Sequence, residues 1–490
     1  MLKIVFTTDI HGYFFPTDYL DKDIKEVGLF RMLGGFQKDG NTLIVDGGDI
    51  LQGSAFVGYS QKEIGGFGIV ANIMNKCGYD YITLGNHDFN YGLGLLRSYI
   101  DNLNAKCLCE NLEDRSGSVL FPYELRKLDS GLVVGIMGIV TDYVNIWEKS
   151  ENIEGIAVRD PFEAARKALG EMKKQANITV CLYHGGIEKD LETGHILSET
   201  TENIACKICS ELDFDILLTG HQHTATPGRW YEGTYIIQAP SGGKGYAYLE
   251  IELGDSGLIV NSEIRSANGE AQIDSFREFT EIEHRVQKWL DEPAGTLREA
   301  LLLEDRIKMA ISGSPLADFL NEIQIHYSGA QLSAVSLAND VQGIPKEVSR
   351  RDILAAYPYP NTFVVLEISG SQLRTAVERS AEYLEYGDDG RLVVSESFLL
   401  PKAEHYNYDF YSGIDIKVDF RLPKGSRVTG ISYQGKQISD SDIYSICVNN
   451  YRATGAGGYD VYRECRVLSE VNTEMTDLML DYIENVLPRI

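Results

Sequence analysis

Two α/β domains joined by a helix are what this sequence predicts, and three observations predict them. The first half alternates short β-branched runs with helical segments. Near residue 270 the texture becomes charged and amphipathic, and from about residue 296 a second alternating region begins, rich in Tyr, Gly and Asn. The 490 residues exceed one typical domain and suffice for two full cores, so the divisions read 1–270, a helical connector at 271–295, and 296–490.

The elements follow in order. "LKIVFTTD", "NTLIVDGGD", "YDYITLGNHD", "LVVGIMGIVTD", "NITVCLYHG" and "FDILLTGHQH" are apolar runs that each end in a polar or Gly-rich turn, the pattern of buried strands with functional loops at their C-terminal ends. Between them "FGIVANIMNKCG" and "PFEAARKALGEMKKQA" have helical spacing, the second opening at Pro161. "IDSFREFTEIEHRVQKWLDEP" is an amphipathic helix with Phe276, Phe279, Ile282, Val286, Trp289 and Leu290 along one face and Pro293 as its stop. The second region contains "LANDVQGIP", "YPYPNTF", "HYNYDFYSGIDIKVDF" and "NNYRATGAGGYD".

Composition narrows the classes. A hydrophobic fraction of 43% and a charged fraction of 24% are those of a globular protein, which removes disordered and fibrous classes. A formal charge of -27 opposes binding to nucleic-acid polymers and anionic lipid, whereas a small anion is still admissible because bound cations reverse the local field. No run approaches the roughly 18 apolar residues of a membrane span. "MLKIVFTTDIHG" lacks a small-residue cleavage site and reads as a first strand, so a cytoplasmic location without membrane association is expected. The eight cysteines stand in separate apolar contexts that fit a reducing compartment, and "CKIC", Cys206 to Cys209, reads as helix-packing thiols.

One set of polar islands stands out. "TTDIHG", "DGGDI", "LGNHDF", "LYHGG" and "TGHQHT" each fall just after a predicted strand, and strand ends on one edge of a sheet converge where open α/β sheets place their sites, so Asp9, His11, Asp49, Asn86, His184, His221 and His223 are expected in one cleft. Singly, each island would be a turn former. Carboxylate and imidazole together suit Zn, Mn or Fe, and the lack of a thiolate set argues against a purely structural zinc. Two cations about 3.5–4 Å apart stabilise attacking and leaving oxygens in phosphoryl transfer, which requires a bridging carboxylate. Asp49, after Gly47 and Gly48, is the natural bridge.

In order and spacing, the islands resemble the calcineurin-like metallophosphoesterase signature, Asp-x-His, Gly-Asp, Gly-Asn-His-Asp/Glu, His and Gly-His-x-His. The resemblance implies a layered α/β catalytic domain at 1–270 with two divalent metal ions. It assigns Asp9, His11, Asp49 and His223 to one metal, and Asp49, Asn86, His184 and His221 to the other. It also implies that His87 is the general acid toward the leaving oxygen, with Asp88 orienting it.

The segments "YPYPNTF", "YNYDFYSGIDIKVDF" and "NNYRATGAGGYD" resemble the C-terminal domain of the 5'-nucleotidase and 2',3'-cyclic-nucleotide 2'-phosphodiesterase family, which extends the resemblance over nearly the whole chain. It implies that 296–490 is a smaller nucleotide-specificity domain in which two aromatic rings sandwich the base. Tyr459 is one candidate ring, and Tyr406 or Tyr408 the other. Asn339, Asn361, Asn450, Arg452 and Asp460 are candidates for hydrogen bonds to ribose or base. Typical 5'-nucleotidases carry an Asn-Gly-Gly-x-Arg-like element where this chain has "ANDVQGIP" without arginine, so the pattern leans to the cyclic-phosphodiesterase/3'-nucleotidase branch. The expected substrate is thus a small nucleotide. A 5'-nucleotidase or UDP-sugar hydrolase is the alternative activity. A non-catalytic nucleotide-binding module is the alternative of another class, which the intact His87 and ligand set oppose.

Overall fold

The computed structural model describes residues 1–194, 196, 201–254, 257–359, 361–400, 403–471 and 473–487. The chain divides into two compact units, Met1–Lys288 and Trp289–Ile490.

Two six-stranded sheets build the first unit. In one, the strand order is Gly257–Ser266, Gly245–Gly254, Leu2–Thr7, Thr42–Asp46, Tyr81–Ile82 and Lys106–Cys107, with the last four parallel. In the other it is Thr226–Tyr231, Thr234–Gln238, Ile216–Thr219, Ile178–His184, Val133–Val140 and Glu124–Lys127, the inner four parallel. Side chains alternate across a strand, and the core follows that period. Leu2, Ile4 and Phe6 meet Ile178, Val180 and Leu182 in one core between the sheets. Cys181, Tyr183, Met137 and Ile139 turn the opposite way onto helices Pro161–Met172 and Ala205–Glu211. Asp160 starts the first of these helices, accepting from the amides of Phe162 (2.8 Å) and Glu163 (3.2 Å), with Pro161 in the first turn where its missing N–H costs nothing.

This layering corrects one expectation about the site. The sequence pattern set the polar islands along one sheet edge, but the first three follow strands of one sheet and the last two follow strands of the other. Face-to-face packing of two parallel-stranded edges is what gathers them.

The second unit centres on a mixed five-stranded sheet, ordered Asp409–Ser412, Leu332–Ser336, Ile443–Asn449, Phe363–Ser369 and Arg466–Val471. Val365 and Cys447 face helices Pro315–Ser328 and Met475–Asp481, while their neighbours Val364, Leu366, Ile446 and Val448 face helix Gly370–Ala381. Period-2 strands buried on both faces thus give three layers.

Helix Arg277–Leu290 follows a short turn, Ile273–Phe276. Phe276, Phe279, Val286, Trp289 and Leu290 are buried and Ile282 half-buried, as the apolar stripe requires. Glu283 is buried on the same helix because its carboxylate accepts from the Tyr19 hydroxyl at 3.0 Å. Among the described residues no helix is long and apolar enough to cross a membrane. All eight cysteines are free thiols, and Cys206 and Cys209 pack in the core against the second sheet.

Candidate active site

The ligand candidates sit on tight turns at strand ends, and the backbone records the tightness. Asp9, His11, Asp49, His221 and His223 have φ of 51°, 52°, 59°, 73° and 56°, five of the eight non-glycine residues with positive φ among those described. Each left-handed residue costs about 1–2 kcal/mol, so concentrating five in one place marks a constrained site. The turns brace one another: Asp9 N–H donates to Gly48 O (2.9 Å) and His11 N–H to Asp49 O (2.8 Å). Glycine is required at two contacts, because a Cβ on Gly48 would lie 2.3 Å from the Gly85 nitrogen and one on Gly85 2.1 Å from Asp49 Oδ1.

All seven predicted ligands come together. Asp9, His11, Asp49 and His223 offer donor atoms that lie within 4.8 Å of one another. His11 Nε2 is 2.9 Å from His223 Nε2, and His223 Nε2 is 3.5 Å from Asp9 Oδ1. On the other side of Asp49, His184 Nε2 lies 3.2 Å from Asp49 Oδ2 and His221 Nδ1 lies 2.9 Å from Asn86 Oδ1.

The tautomers decide what these approaches mean. His11 Nδ1 faces Gln52 O at 2.7 Å, His184 Nδ1 faces Gly47 O at 2.6 Å, and His221 Nε2 faces Glu202 Oε1 at 2.8 Å. An oxygen acceptor places the ring proton on the nitrogen it faces, so the other nitrogen of each ring turns a lone pair inward. In the neutral rings lone pairs then abut lone pairs: His221 Nδ1 against Asn86 Oδ1, and His184 Nε2 against Asp49 Oδ2, the latter two buried. Cations between such atoms satisfy both, and imidazoles held from behind by oxygen acceptors are the usual outer support of metal ligands. The donor set fits divalent metal ions.

Electrostatics points the same way. Burial opposes charge on Asp9 and Asp49, yet the surrounding imidazoles hold both carboxyls below the usual range. Burial and His223 depress His11 to about 4, whereas in His184 the pull of Asp49 and Asp9 outweighs burial and lifts the imidazole to about 10. The buried carboxylates demand positive charge, which a cation supplies in place of a proton.

His87 lies beside this cluster, its backbone N–H on Asp49 Oδ1 at 2.8 Å and its ring 5.6 Å from that of His11. The expected orienting role of Asp88 is corrected. Asp88 is buried and accepts from the backbone amides of Asp49 (3.0 Å), Ile50 (2.9 Å), Leu51 (3.0 Å) and Gly85 (2.8 Å). Its carboxylate is spent on the Asp49 loop, and the His87 ring instead has Asn90 Oδ1 at 2.8 Å from Nδ1. Sequence reasoning missed Asn90, although a residue three positions on within one helical turn was the available signal. It also missed Glu202 behind His221 and Trp147, whose ring stacks on His221 at 5.6 Å and 19°; neither carried a signal, because both come from distant loops.

In the second unit the candidates separate. Tyr459 is 1% exposed, one ring face stacked on Tyr462 (5.7 Å, 6°) and the Arg452 guanidinium 4.2 Å from its ring centroid. Its hydroxyl bonds Ser380 Oγ (2.7 Å) and donates to Asn407 O (3.0 Å). No ring face is free for a base, so the expected stacking role is corrected to a core role. Arg452 is also buried, paired with Asp409 at 2.9 Å and donating to Asn407 Oδ1, Tyr406 O and Ala456 O, so its guanidinium is engaged within the second unit. Tyr408 packs between Tyr383 and Phe410 and donates to Ala310 O (2.9 Å), another core position. Asn339 braces a turn through Ala403 O and His405 N, and Asn450 accepts from Thr362 N, while Asn361 reaches Tyr357 Oη at 3.3 Å. Asp460 is exposed at the start of helix Asp460–Arg463. Tyr406 stays half-buried, and Tyr359, within the "YPYPNTF" segment, is 37% exposed.

A layered α/β unit whose strand ends crowd carboxylates and imidazoles around inward lone pairs defines a metal-dependent phosphoester hydrolase. The calcineurin-like phosphoesterase family matches residues 2–225, and the 5'-nucleotidase C-terminal domain matches residues 294–464. The crystal structure of a Staphylococcus aureus protein described as "Putative 5'-Nucleotidase", in complex with alpha-ketoglutarate, is 32% identical, covering 99% of this chain and 97% of that one, with a TM-score of 0.92. The trifunctional nucleotide phosphoesterase of Bacillus subtilis is 26% identical over 98% of this chain, which spans 38% of that protein's length. The 2',3'-cyclic-nucleotide 2'-phosphodiesterase/3'-nucleotidase of Haemophilus influenzae is 25% identical over 93% of this chain and 80% of its own length. The chain belongs to the 5'-nucleotidase and cyclic-nucleotide phosphodiesterase family, with a calcineurin-like metallophosphoesterase domain followed by a 5'-nucleotidase C-terminal domain.

Proposed function

We propose that this enzyme hydrolyses phosphate esters of nucleotides, with 2',3'-cyclic nucleotides and 3'-nucleotides as preferred substrates. The observation that carries the chemistry is the pairing of inward lone pairs around Asp49 beside a histidine whose Nδ1 is engaged by Asn90. Asp9, His11, Asp49 and His223 would hold one divalent cation, and Asp49, Asn86, His184 and His221 the other; such a pair, when bound, polarises the phosphate and makes hydroxide available near neutral pH. His87 is the general acid. Water oxygen forms the new bond to phosphorus, the ester oxygen departs, and His87 Nε2–H delivers a proton to it, a contribution of about 10²–10⁴-fold where the leaving alkoxide is poor.

The preference for cyclic and 3'-esters rests on "ANDVQGIP", which has no arginine for a 5'-phosphate, and accords with the activity named for the Haemophilus influenzae relative. Base selection falls to rings of the second unit that are not fully buried, the half-buried Tyr406 and the exposed Tyr359. A 5'-nucleotidase is the second reading, favoured by the name of the Staphylococcus aureus protein. Assay of 2',3'-cyclic, 3'- and 5'-nucleotides and a nucleotide sugar with Mn or Zn tests both: the highest kcat/KM is expected on the cyclic or 3'-ester, and a preference for the 5'-ester or the nucleotide sugar would overturn the first reading.

A further inference from the structure

We propose that Glu148 is a positioning residue for proton delivery, acting through Asn90 on His87. The inference rests on the general-acid reading of His87 above. Asn90 Nδ2 donates to Glu148 Oε2 at 2.8 Å, and Asn90 Oδ1 faces His87 Nδ1 at 2.8 Å. An amide oxygen and nitrogen are told apart only by their partners, and here the partner is decisive. A carboxylate accepts and never donates, so the Asn90 NH2 must turn to Glu148 and its carbonyl oxygen to the histidine. That carbonyl accepts from Nδ1–H, the proton the ring keeps, so that Nε2–H, on the ring nitrogen not held by Asn90, is the one given to the ester oxygen. Asparagine alone does not define this arrangement, because a flipped amide would offer N–H to Nδ1 and oppose the Nδ1–H that must remain on the ring once Nε2 has given up its proton.

The surroundings of Glu148 require an acceptor on both oxygens. Oε1 accepts from Asn152 Nδ2 (2.8 Å) and from the Lys149 backbone N–H (2.9 Å), while Oε2 accepts from Asn90. Asn152 Nδ2 also donates to Asn90 O at 2.7 Å, which ties the turn carrying His87 to the same carboxylate. A glutamine of identical shape satisfies only one side. With its carbonyl toward Asn152 and Lys149, its NH2 meets the Asn90 NH2 and favours the amide flip.

Glu148→Gln is therefore the diagnostic variant, nearly isosteric yet unable to hold Asn90. Rates are measured on glycerol 2-phosphate, a poor leaving group, and p-nitrophenyl phosphate, a good one, for wild type, Glu148→Gln, His87→Ala and the double variant, with bound metal determined in each. The expected result is a fall in kcat of about tenfold or more on the alkyl ester at a KM within about twofold, and a change under about threefold on the aryl ester. In the His87→Ala background Glu148→Gln should cost nothing further, since the residue acts only through that histidine. Equal losses on the two esters, or full additivity in the double variant, would overturn the proposal. Neither ester is a nucleotide, so failure of the nucleotide preference in the substrate panel is a separate outcome. Loss of the leaving-group split in His87→Ala itself would instead overturn the general-acid reading.

Discussion

At the scale of single residues, Asp49 is the position on which the two halves of the metal cluster depend. Its Oδ2 lies 3.2 Å from His184 Nε2 and 3.9 Å from His11 Nε2, one histidine from each proposed ligand set. Asp49→Ala is expected to abolish hydrolysis and to leave fewer than two equivalents of metal, measured by elemental analysis. Full metal content with near-normal turnover would remove the bridge assignment. His87→Ala keeps every ligand and should retain both metals, losing much more rate on nucleotides than on p-nitrophenyl phosphate. Tyr459 carries the opposite expectation. Its hydroxyl has two buried partners and its ring is enclosed, so Tyr459→Phe should lower stability by about 1–3 kcal/mol in denaturant titration while leaving the nucleotide KM unchanged. A selective rise in KM in a Tyr459→Ala variant that still folds, with Tyr459→Phe retaining the wild-type KM, would restore the stacking role that the sequence suggested.

At the scale of elements, the site is made by turns rather than by the strands they follow. Four backbone N–H groups converge on Asp88, three from the Asp49 loop and one from Gly85, so one carboxylate fixes the loop that presents the central ligand. Asp88→Asn turns donors toward donors. The variant is expected to lose metal affinity and turnover together, on aryl and alkyl esters alike, which separates it from His87→Ala. Gly85→Ala should do the same for a steric reason, because its Cβ would stand 2.1 Å from Asp49 Oδ1. The short turn Val144–Trp147 and the residue after it act as a second brace, with Trp147 against His221 and Glu148 on Asn90.

At the scale of the whole molecule, stability and cation binding are linked. Buried carboxylates and histidine lone pairs that face one another destabilise the fold, and a ligand that binds only the folded state stabilises it by mass action. Chelation should lower the thermal midpoint, and Mn or Zn should restore it in proportion to the logarithm of excess metal, read by calorimetry. In Asp49→Ala, which removes the carboxylate between the two ligand sets, the metal-induced rise should shrink markedly. An unchanged midpoint in the wild type would mean that the donor cluster is stable without a cation.

The alternation of apolar runs with polar turns, taken with residue types that can ligate only hard or borderline cations, was legible in the sequence. That is because burial period and donor chemistry are local properties. It determined the layered α/β class and picked out Asp9, His11, Asp49, Asn86, His184, His221 and His223, each adjacent to the strand that places it. Only tertiary structure decided which residues stand behind them. Asp88 could face His87 or the Asp49 loop, and Tyr459 could face a base or the core, since a carboxylate or a phenol suits either surrounding. Gln52, Glu202, Trp147 and Glu148 come from loops far along the chain from the rings they support. Their roles arise from tertiary packing with no counterpart in local spacing: strands of one sheet bring Gln52 to His11, strands of the other bring Glu202 and Trp147 to His221, and sheet-on-sheet packing brings Glu148 to Asn90.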